Sequence, residues 1–342
     1  MLKKGYFFTD IHFGRKSNSD RHNQDCLDYL DWFCEQFKSD PDADYVGFLG
    51  DWHESRTAID ISTLNYSYQG AQKLNDLGVP IYFVVGNHDM GARHTRDIYS
   101  TVPFHEFENF KVIHDKPYHA TEIQDGALFV PFLIKDEYDT LHDYTNIPLW
   151  AGHFEFKGFI LTGYSVKLEH GPDVEQFSDV GTILSGHFHR RQRGKNAIYI
   201  GNAFPMDFSD ANDFERGLAI YDHSTKNTSF VDWKNSPKYI TCKLSDVIDD
   251  NVSLMPNSYV DIDVDVEVTY QQLAAIETQL IEQHKLRSIR LDESSKFVHD
   301  ESNSAQNIDV NMSTDDMIIT MLRETDPTKF DLDLLETIYR NS

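Results

Sequence analysis

Five short polar clusters, each closing an apolar run, carry the residues that could do chemistry. In order they are Asp10-Ile11-His12, Asp51, Gly86-Asn87-His88-Asp89, Gly152-His153 and Gly186-His187-Phe188-His189. Carboxylate, amide and imidazole groups are ligands for manganese, iron or zinc. No thiolate accompanies them, so a structural zinc site is not expected. The groups are too many for one ion and suit two ions that share a carboxylate. Two metals about 3.5–4 Å apart can hold a phosphoryl group and activate a water between them. The glycines permit the tight turns that let the side chains converge. Residues i and i+2 of an extended strand face one side, so Asp10 with His12, and His187 with His189, are expected to aim at one place. Singly, each cluster has a plain structural explanation, such as a Gly-Asn turn or a polar strand end. Five in order, each after an apolar run, favour the functional explanation.

The elements that must position these clusters read as follows. "KGYFF" (4–8), "DYVGFLG" (44–50), "VPIYFVVGNHD" (79–89), "ALFVPFLI" (127–134), "NIPLWAGHFE" (146–155) and "VGTILSGHFH" (180–189) are buried strands ending in polar residues. Helical spacing runs through 23–38, with Cys26, Leu27, Leu30, Phe33, Cys34 and Phe37 on one side, and more weakly through 62–78, with Gly78 as the expected stop. Strands alternating with helices argue for an α/β sheet with covered faces, whose ligands lie beyond the strand ends. "NAIYIGNAF", "GLAIYDH" and "TSFVDW" close this domain, and "KNSPKY" marks its boundary. A β-α-β unit follows: alternating "SYVDIDVDVEV", an amphipathic helix opened by Thr269, and "LRSIRLDE". A polar linker then leads to two short helices.

The chain has 342 residues and a formal net charge of −25, which argues against simple electrostatic attraction to nucleic acid or to an anionic membrane. A local basic groove or bound divalent ions can offset that field, so a nucleic-acid enzyme stays open. Three cysteines without metal spacing fit a reducing compartment. No apolar run approaches the roughly 20 residues of a membrane span. A soluble intracellular protein is expected.

The order D-x-H, G-D, G-N-H-D, G-H, G-H-x-H resembles the calcineurin-like metallophosphoesterase superfamily. With "YIGNAF" and a small added domain, the chain is similar to the SbcD-type DNA repair nucleases, the tailed-phage recombination endonuclease subunits among them. The motifs lie before Ile220; beyond Asn235 the likeness is one of layout. The resemblance implies an α/β four-layer sandwich, two β-sheets flanked by helices, with a small α+β capping domain and a C-terminal helical segment. The implied divisions are a nuclease domain over 1–235, a DNA-capping domain over 236–293, a linker over 294–312 and an ATPase-binding segment over 313–342, with Leu322, Phe330, Leu332, Leu335 and Ile338 as its apolar face.

By the same resemblance two divalent ions are held, Mn2+ being the implied metal. Asp10, His12, Asp51 and His189 hold one; Asp51, Asn87, His153 and His187 hold the other. His88 faces the scissile phosphate as an acid or charge stabiliser, and Asp89 either orients His88 or braces the turn. Cellular members often place a histidine three positions after the bridging aspartate. Here Glu54 stands there and the histidine falls early, at His53. His53 is therefore left without a metal and is read as a substrate-side or packing residue. Arg56, and Arg190 and Arg191 in "HRRQRGK", are candidate phosphate contacts, with solvated arginines as the alternative; Arg93 and Arg96 have the same two readings. Lys157, Tyr164 and Lys167 receive no role. The implied function is a Mn-dependent DNA exo/endonuclease subunit, a homodimer working with an SMC-like coiled-coil ATPase of SbcC type in the cytoplasm (of the host, if phage-encoded). A phosphatase or small-molecule phosphodiesterase on the same scaffold is the alternative, though the "GDxxDRG" of protein phosphatases is absent. A non-catalytic scaffold is a third, disfavoured by the full set of ligands.

Overall fold

The strands are short, and the central ones are apolar because both of their faces are covered. In the computed structural model, which describes residues 3–161 and 166–292, a first sheet holds six of them. Their spatial order is Asn227–Asp232, Gly217–Asp222, Lys4–Phe8, Ala43–Phe48, Ile81–Val84 and Phe110–Ile113. The last four pair in parallel, and Gly217–Asp222 is antiparallel to both neighbours. A second sheet runs Gln192–Gly194, Ala197–Tyr199, Thr182–Ser185, Leu149–Gly152, Ala127–Val130 and Tyr118–Ala120, with a parallel centre and antiparallel edges.

The period-2 alternation of each strand sorts its side chains between two cores. Phe7, Tyr45, Tyr82 and Val84 face the other sheet and meet Phe129, Leu149, Ala151 and Leu184. Tyr82 and Phe129 stack at 4.3 Å across that gap. Tyr6, Phe8, Val46, Phe48, Ile81 and Phe83 face the helices. Those helices are Asp20–Ser39, whose start is capped by Ser19, and Ile61–Asn75, capped by Asp60. The second helix ends before Gly78; this residue (φ 69°) lies in the turn beyond it instead of serving as its cap. On the far face of the second sheet the cover consists of 3-10 turns, Lys135–Tyr144 and Val174–Phe177, where regular helices were expected. Leu141, Phe177, Phe154 and Phe156 close that core around Trp150.

A third, three-stranded sheet is parallel throughout: Lys238–Lys243, Ser258–Asp263 and Ser288–Asp292. Its crossovers contain Leu244–Ile248 and Tyr270–His284, the latter opened by a Thr269–Gln272 capping box. Ile240, Leu244, Val260, Ile262, Leu273 and Leu280 form a separate core there. The first strand of this sheet was not read from the sequence, because "KYITCK" directly follows the polar, proline-bearing stretch taken as a boundary. The expected linker over 294–312 and helices over 313–342 lie outside the described residues, as does Tyr164. Among the described residues no helix is long and apolar enough to cross a membrane.

Candidate metal centre

The polar clusters meet where the parallel strands of the two sheets end. Asp10 and His12 do not reach the site as an extended pair. Asp10, His12, Asp51 and His187 all adopt left-handed backbone, with φ of 49°, 52°, 61° and 87°. That conformation costs a non-glycine residue about 1–2 kcal/mol. Local hydrogen bonds hold it: Asp10 N donates to Gly50 O (2.9 Å) and His12 N to Asp51 O (3.2 Å). His187 N donates to Asp10 Oδ2 (3.0 Å) and His88 N to Asp51 Oδ1 (2.8 Å). Turning, not strand alternation, makes the side chains converge. Gly86 and Gly186 allow close approach, since a Cβ would lie 2.2 Å from Asp51 Oδ1 at the first and 2.1 Å from Thr9 Oγ1 at the second.

Two groupings of the expected ligands result, beside a third made of His12, Glu54 and His88. In the first, ligand atoms of Asp10, His12 and His189 all lie within 4.8 Å of one another. His12 Nε2 is 3.2 Å from His189 Nε2 and 3.8 Å from Asp10 Oδ1. The second contains Asp51, His153 and His187. Asn87 joins it, its Oδ1 lying 2.8 Å from His153 Nε2 and 2.9 Å from His187 Nδ1. Asp51 Oδ2 is 3.4 Å from His153 Nε2 and 3.9 Å from His12 Nε2, so it stands between the groupings.

The surroundings fit divalent ions. Asp10, Asp51, His12 and His153 are buried, and the buried Asp10 Oδ1 has no hydrogen-bond partner among the described residues. Carboxylates left so in a low-dielectric site are costly without a compensating cation. Burial pushes the Asp10 carboxyl upward; at Asp51 burial acts the same way, but the His153, His88 and His12 imidazoles together outweigh it and hold the group well below the usual carboxylate range. The donors are nitrogen and oxygen only, as manganese, iron or zinc accept.

The His153 and His88 rings are held by a hydrogen bond at the far nitrogen, and the His12 ring faces a carboxylate there, an arrangement typical of metal-binding imidazoles. His153 Nδ1 donates to Leu49 O at 2.7 Å. The Glu54 carboxylate lies 2.7 Å from His12 Nδ1. The Glu54 backbone carbonyl accepts from His88 Nδ1 at 2.8 Å. His12 and His153 thereby turn Nε2 into the groupings, and half-buried His88 presents Nε2 beside them, its ring centre 5.0 Å from that of His12. Glu54 is a centre of this architecture that the sequence marked only as a departure; Arg15, which reaches it at 3.1 Å, was not singled out at all. Glu155, two positions after His153, lies 3.7 Å from His187 Nε2 and was also missed.

Other expectations need correction. Asp89 does not orient His88. Its carboxylate accepts from the backbone N–H groups of Asp51, Trp52, His53 and Gly86 at 2.9–3.0 Å, clasping two loops together. Burial and the Asp51 charge raise its pKa to about 7 in spite of those bonds. His53 is not on the substrate side. It is 1% exposed, its ring nitrogens meet Ser100 and Ser67 hydroxyls at 2.7 Å, and burial lowers its pKa to about 3, so it packs as a neutral ring. Arg191 is turned inward, paired with Asp232 (2.8 Å) and stacked over Phe230. Arg96 forks onto Glu137. Lys157 pairs with Asp173. Arg190 stays exposed, 3.9 Å from Asp213. Arg56 is half-buried, makes no ion pair among the described residues, and is close enough to Arg93 that burial and this second guanidinium both lower its pKa.

Among proteins of known activity, "Exonuclease subunit 1" of Enterobacteria phage T4 is 27% identical over 231 residues, a stretch that covers 65% of this chain and 65% of that protein, just under two thirds of its length. Among solved structures, a novel archaeal phosphodiesterase superposes with a TM-score of 0.37 at 10% identity, covering 67% of this chain and 99% of that one. The nuclease MPE of Pseudomonas putida gives 0.31 at 15% identity, covering 64% and 84%. Residues 6–191, which hold all of the candidate ligands, match the family model described as calcineurin-like phosphoesterase, and the chain belongs to that family.

Proposed function

We propose that the chain is the nuclease subunit of a DNA recombination and repair complex, hydrolysing phosphodiester bonds with two divalent ions, Mn2+ foremost. The observation that carries this reading is the convergence of seven donors on two adjoining groupings, with one further imidazole turned beside them. Asp10, His12, Asp51 and His189 would hold one ion, and Asp51, Asn87, His153 and His187 the other. When bound, the ions supply Lewis acidity to a phosphate and lower the pKa of a coordinated water. His88 Nε2 then meets the substrate, donating a proton to the leaving oxygen or steadying its charge, while the Glu54 carbonyl keeps the proton of the other nitrogen in place. Arg56, Arg93 and Arg190 contribute positive charge near the mouth of the site and bind neighbouring phosphates. Likeness to the phage T4 exonuclease subunit supports DNA as substrate. The third sheet serves as the DNA-capping domain, and 313–342 as the grip on an SMC-like ATPase of SbcC type in the cytoplasm.

The chain also pairs with a second copy. Ile61, Leu64 and Tyr68 share one face of the helix Ile61–Asn75 and are exposed, as are Ile98 and Val102. Tyr68 packs on Phe107, which sets this helix beside the Val102–Glu106 turn.

The test compares Mn2+-loaded protein on linear duplex DNA with its action on p-nitrophenyl phosphate mono- and diesters. Metal-dependent DNA cleavage, lost in His88→Gln with metal uptake retained, is expected. Brisk monoester hydrolysis without DNA cleavage would overturn the nuclease reading.

A further inference from the structure

The turn Gly14–Asn18 ties the first metal grouping to the third sheet. Lys16, Ser17 and Asn18 are consecutive left-handed residues, with φ of 56°, 56° and 61°. The turn is held from below by Gly14 N donating to Asn23 Oδ1 (2.8 Å) and Asn18 N to Gly14 O (2.9 Å). This shape sends two adjacent basic side chains to different partners. Arg15 enters the site, forking between Glu54 (3.1 Å) and Asp207 (2.5 Å), and Glu54 in turn faces His12 Nδ1. Lys16 reaches the third sheet. Its ammonium lies 4.6 Å from the Tyr239 ring centre and 4.4 Å from that of Tyr259, and it bonds to the Tyr239 hydroxyl.

Those two tyrosines are register partners on neighbouring strands and stack at 4.8 Å with planes 10° apart. They form a rigid aromatic platform for a cation. Two further contacts tie the region of the third sheet to the first domain. Arg287 grips Asp25 with two bonds of 2.6 Å, and Tyr239 packs against Phe208, next to Asp207. The platform therefore bears on the Asp207–Arg15 end of the Asp207–Arg15–Glu54–His12 chain, through Phe208 and Lys16.

We propose that Arg15 and Glu54 are positioning residues for His12, and that docking of the Tyr239–Tyr259 platform on Lys16 sets the metal affinity of the Asp10–His12–His189 grouping. This rests on the reading of those three residues as ligands of one ion. A shift of the third sheet, such as engagement of a bulky duplex would impose, would move Lys16 and so Arg15, withdrawing or pressing the Glu54 carboxylate at His12. The second grouping has its own supports, the Leu49 carbonyl and Glu155, and meets this chain of contacts only through Asp51, 3.9 Å from His12 Nε2.

Calorimetric titration of MnCl2 into the metal-free full-length chain reads both sites without recourse to activity. Glu54→Gln is expected to weaken one site by about 10-fold or more and to spare the other. Lys16→Met, a change outside the metal centre, is expected to weaken the same site about 5-fold. Tyr259→Leu, which removes one ring from the opposite side, should do likewise. Because the effects share one path, the double variant Glu54→Gln/Lys16→Met should bind no more weakly than Glu54→Gln alone. Wild-type affinity at both sites in Lys16→Met and Tyr259→Leu, or additive losses in the double variant, overturns the coupling. His12→Ala separates the two readings: it should remove one site, and if it removes none the ligand assignment itself fails.

Discussion

His12 and His53 look alike in sequence, each two positions after an aspartate, and they differ in every physical respect. His12 has one nitrogen against a carboxylate and the other among imidazole and carboxylate groups. His53 has a serine hydroxyl on each nitrogen and is shielded from solvent. Residue types were legible in the sequence, and so was the candidate ligand set, because ligand chemistry limits the choice. Surroundings were not: nothing in "GDWHESR" shows that Ser67 and Ser100 wait beside the ring, or that Asp89 is consumed by four backbone amides. The variants should part accordingly. His12→Ala should lose Mn2+ uptake at one site. His53→Ala should keep full uptake and lose about 2–4 kcal/mol of stability, through a cavity and the loss of the ring's bonds to the Ser67 and Ser100 hydroxyls, as measured by urea unfolding of the metal-free chain. Normal stability with lost uptake in His53→Ala would reverse the assignment. The thiols make a second case. Burial holds the Cys34 and Cys242 thiols up at about 11 and lifts that of Cys26 well above the ordinary thiol value. The reactive thiolate is therefore scarce in the native chain near pH 8. Iodoacetamide should label Cys242 slowly, with a rate that climbs with pH toward 11. Cys26 should react only after unfolding; rapid native labelling of Cys26 at pH 8 would contradict its burial.

At the scale of elements, the site is a set of loop turns presented by parallel strands. The strands were legible because "YFF", "YVGFL", "IYFVV" and "TILS" are apolar on both faces, as a doubly covered sheet requires. That ligands sit just past the strand ends followed from the same pattern. The left-handed turns were not legible, since aspartate and histidine carry no strong local signal for φ > 0. Nor were the 3-10 turns over the second sheet or the hairpin Met90–Ala92 with Thr95–Tyr99, which are too short to show a period. Gly86 is where this level can be tested. A Cβ there would meet Asp51 Oδ1 at 2.2 Å and Asp51 N at 2.3 Å, and both belong to rigid backbone or to the shared carboxylate. The loops must part, and the Asp89 clasp and Asn87 part with them. Gly86→Ala should destabilise the metal-free chain by about 1–3 kcal/mol and reduce Mn2+ uptake, since Asp51 stands between both groupings. A folded Gly86→Ala chain with wild-type uptake at both sites would show that the loop spacing is not what sets the centre.

The whole molecule carries a net charge of −25, and a second copy must approach against that field. An interface between copies must then draw its affinity from apolar burial. The face built by Ile61, Leu64, Tyr68, Ile98 and Val102 offers it, Ile61 being 86% and Ile98 74% exposed in the single chain. Burying one such side chain is worth about 1.5–3 kcal/mol, and a stable contact buries about 1,600 Å² in total, so a few of these residues at its centre suffice. The sequence does not single out a dimer surface, offering only 62–78 and 93–107 as candidates, because the alternation of buried Thr63, Ser67 and Ala71 with exposed Ile61, Leu64 and Tyr68 inverts the usual amphipathic rule and became visible only in the fold. Two consequences can be measured together. Ile61→Glu with Tyr68→Glu should convert a dimer to a monomer in sedimentation analysis while leaving Mn2+ uptake unchanged, because neither residue approaches the centre. Salt should also strengthen association of the wild-type chain, by screening the repulsion between acidic copies over a Debye length that falls to about 3 Å at 1 M. An ion-paired interface would weaken instead. A dimer unaffected by the two glutamates, or one that dissociates as salt rises, would place the contact elsewhere on the surface.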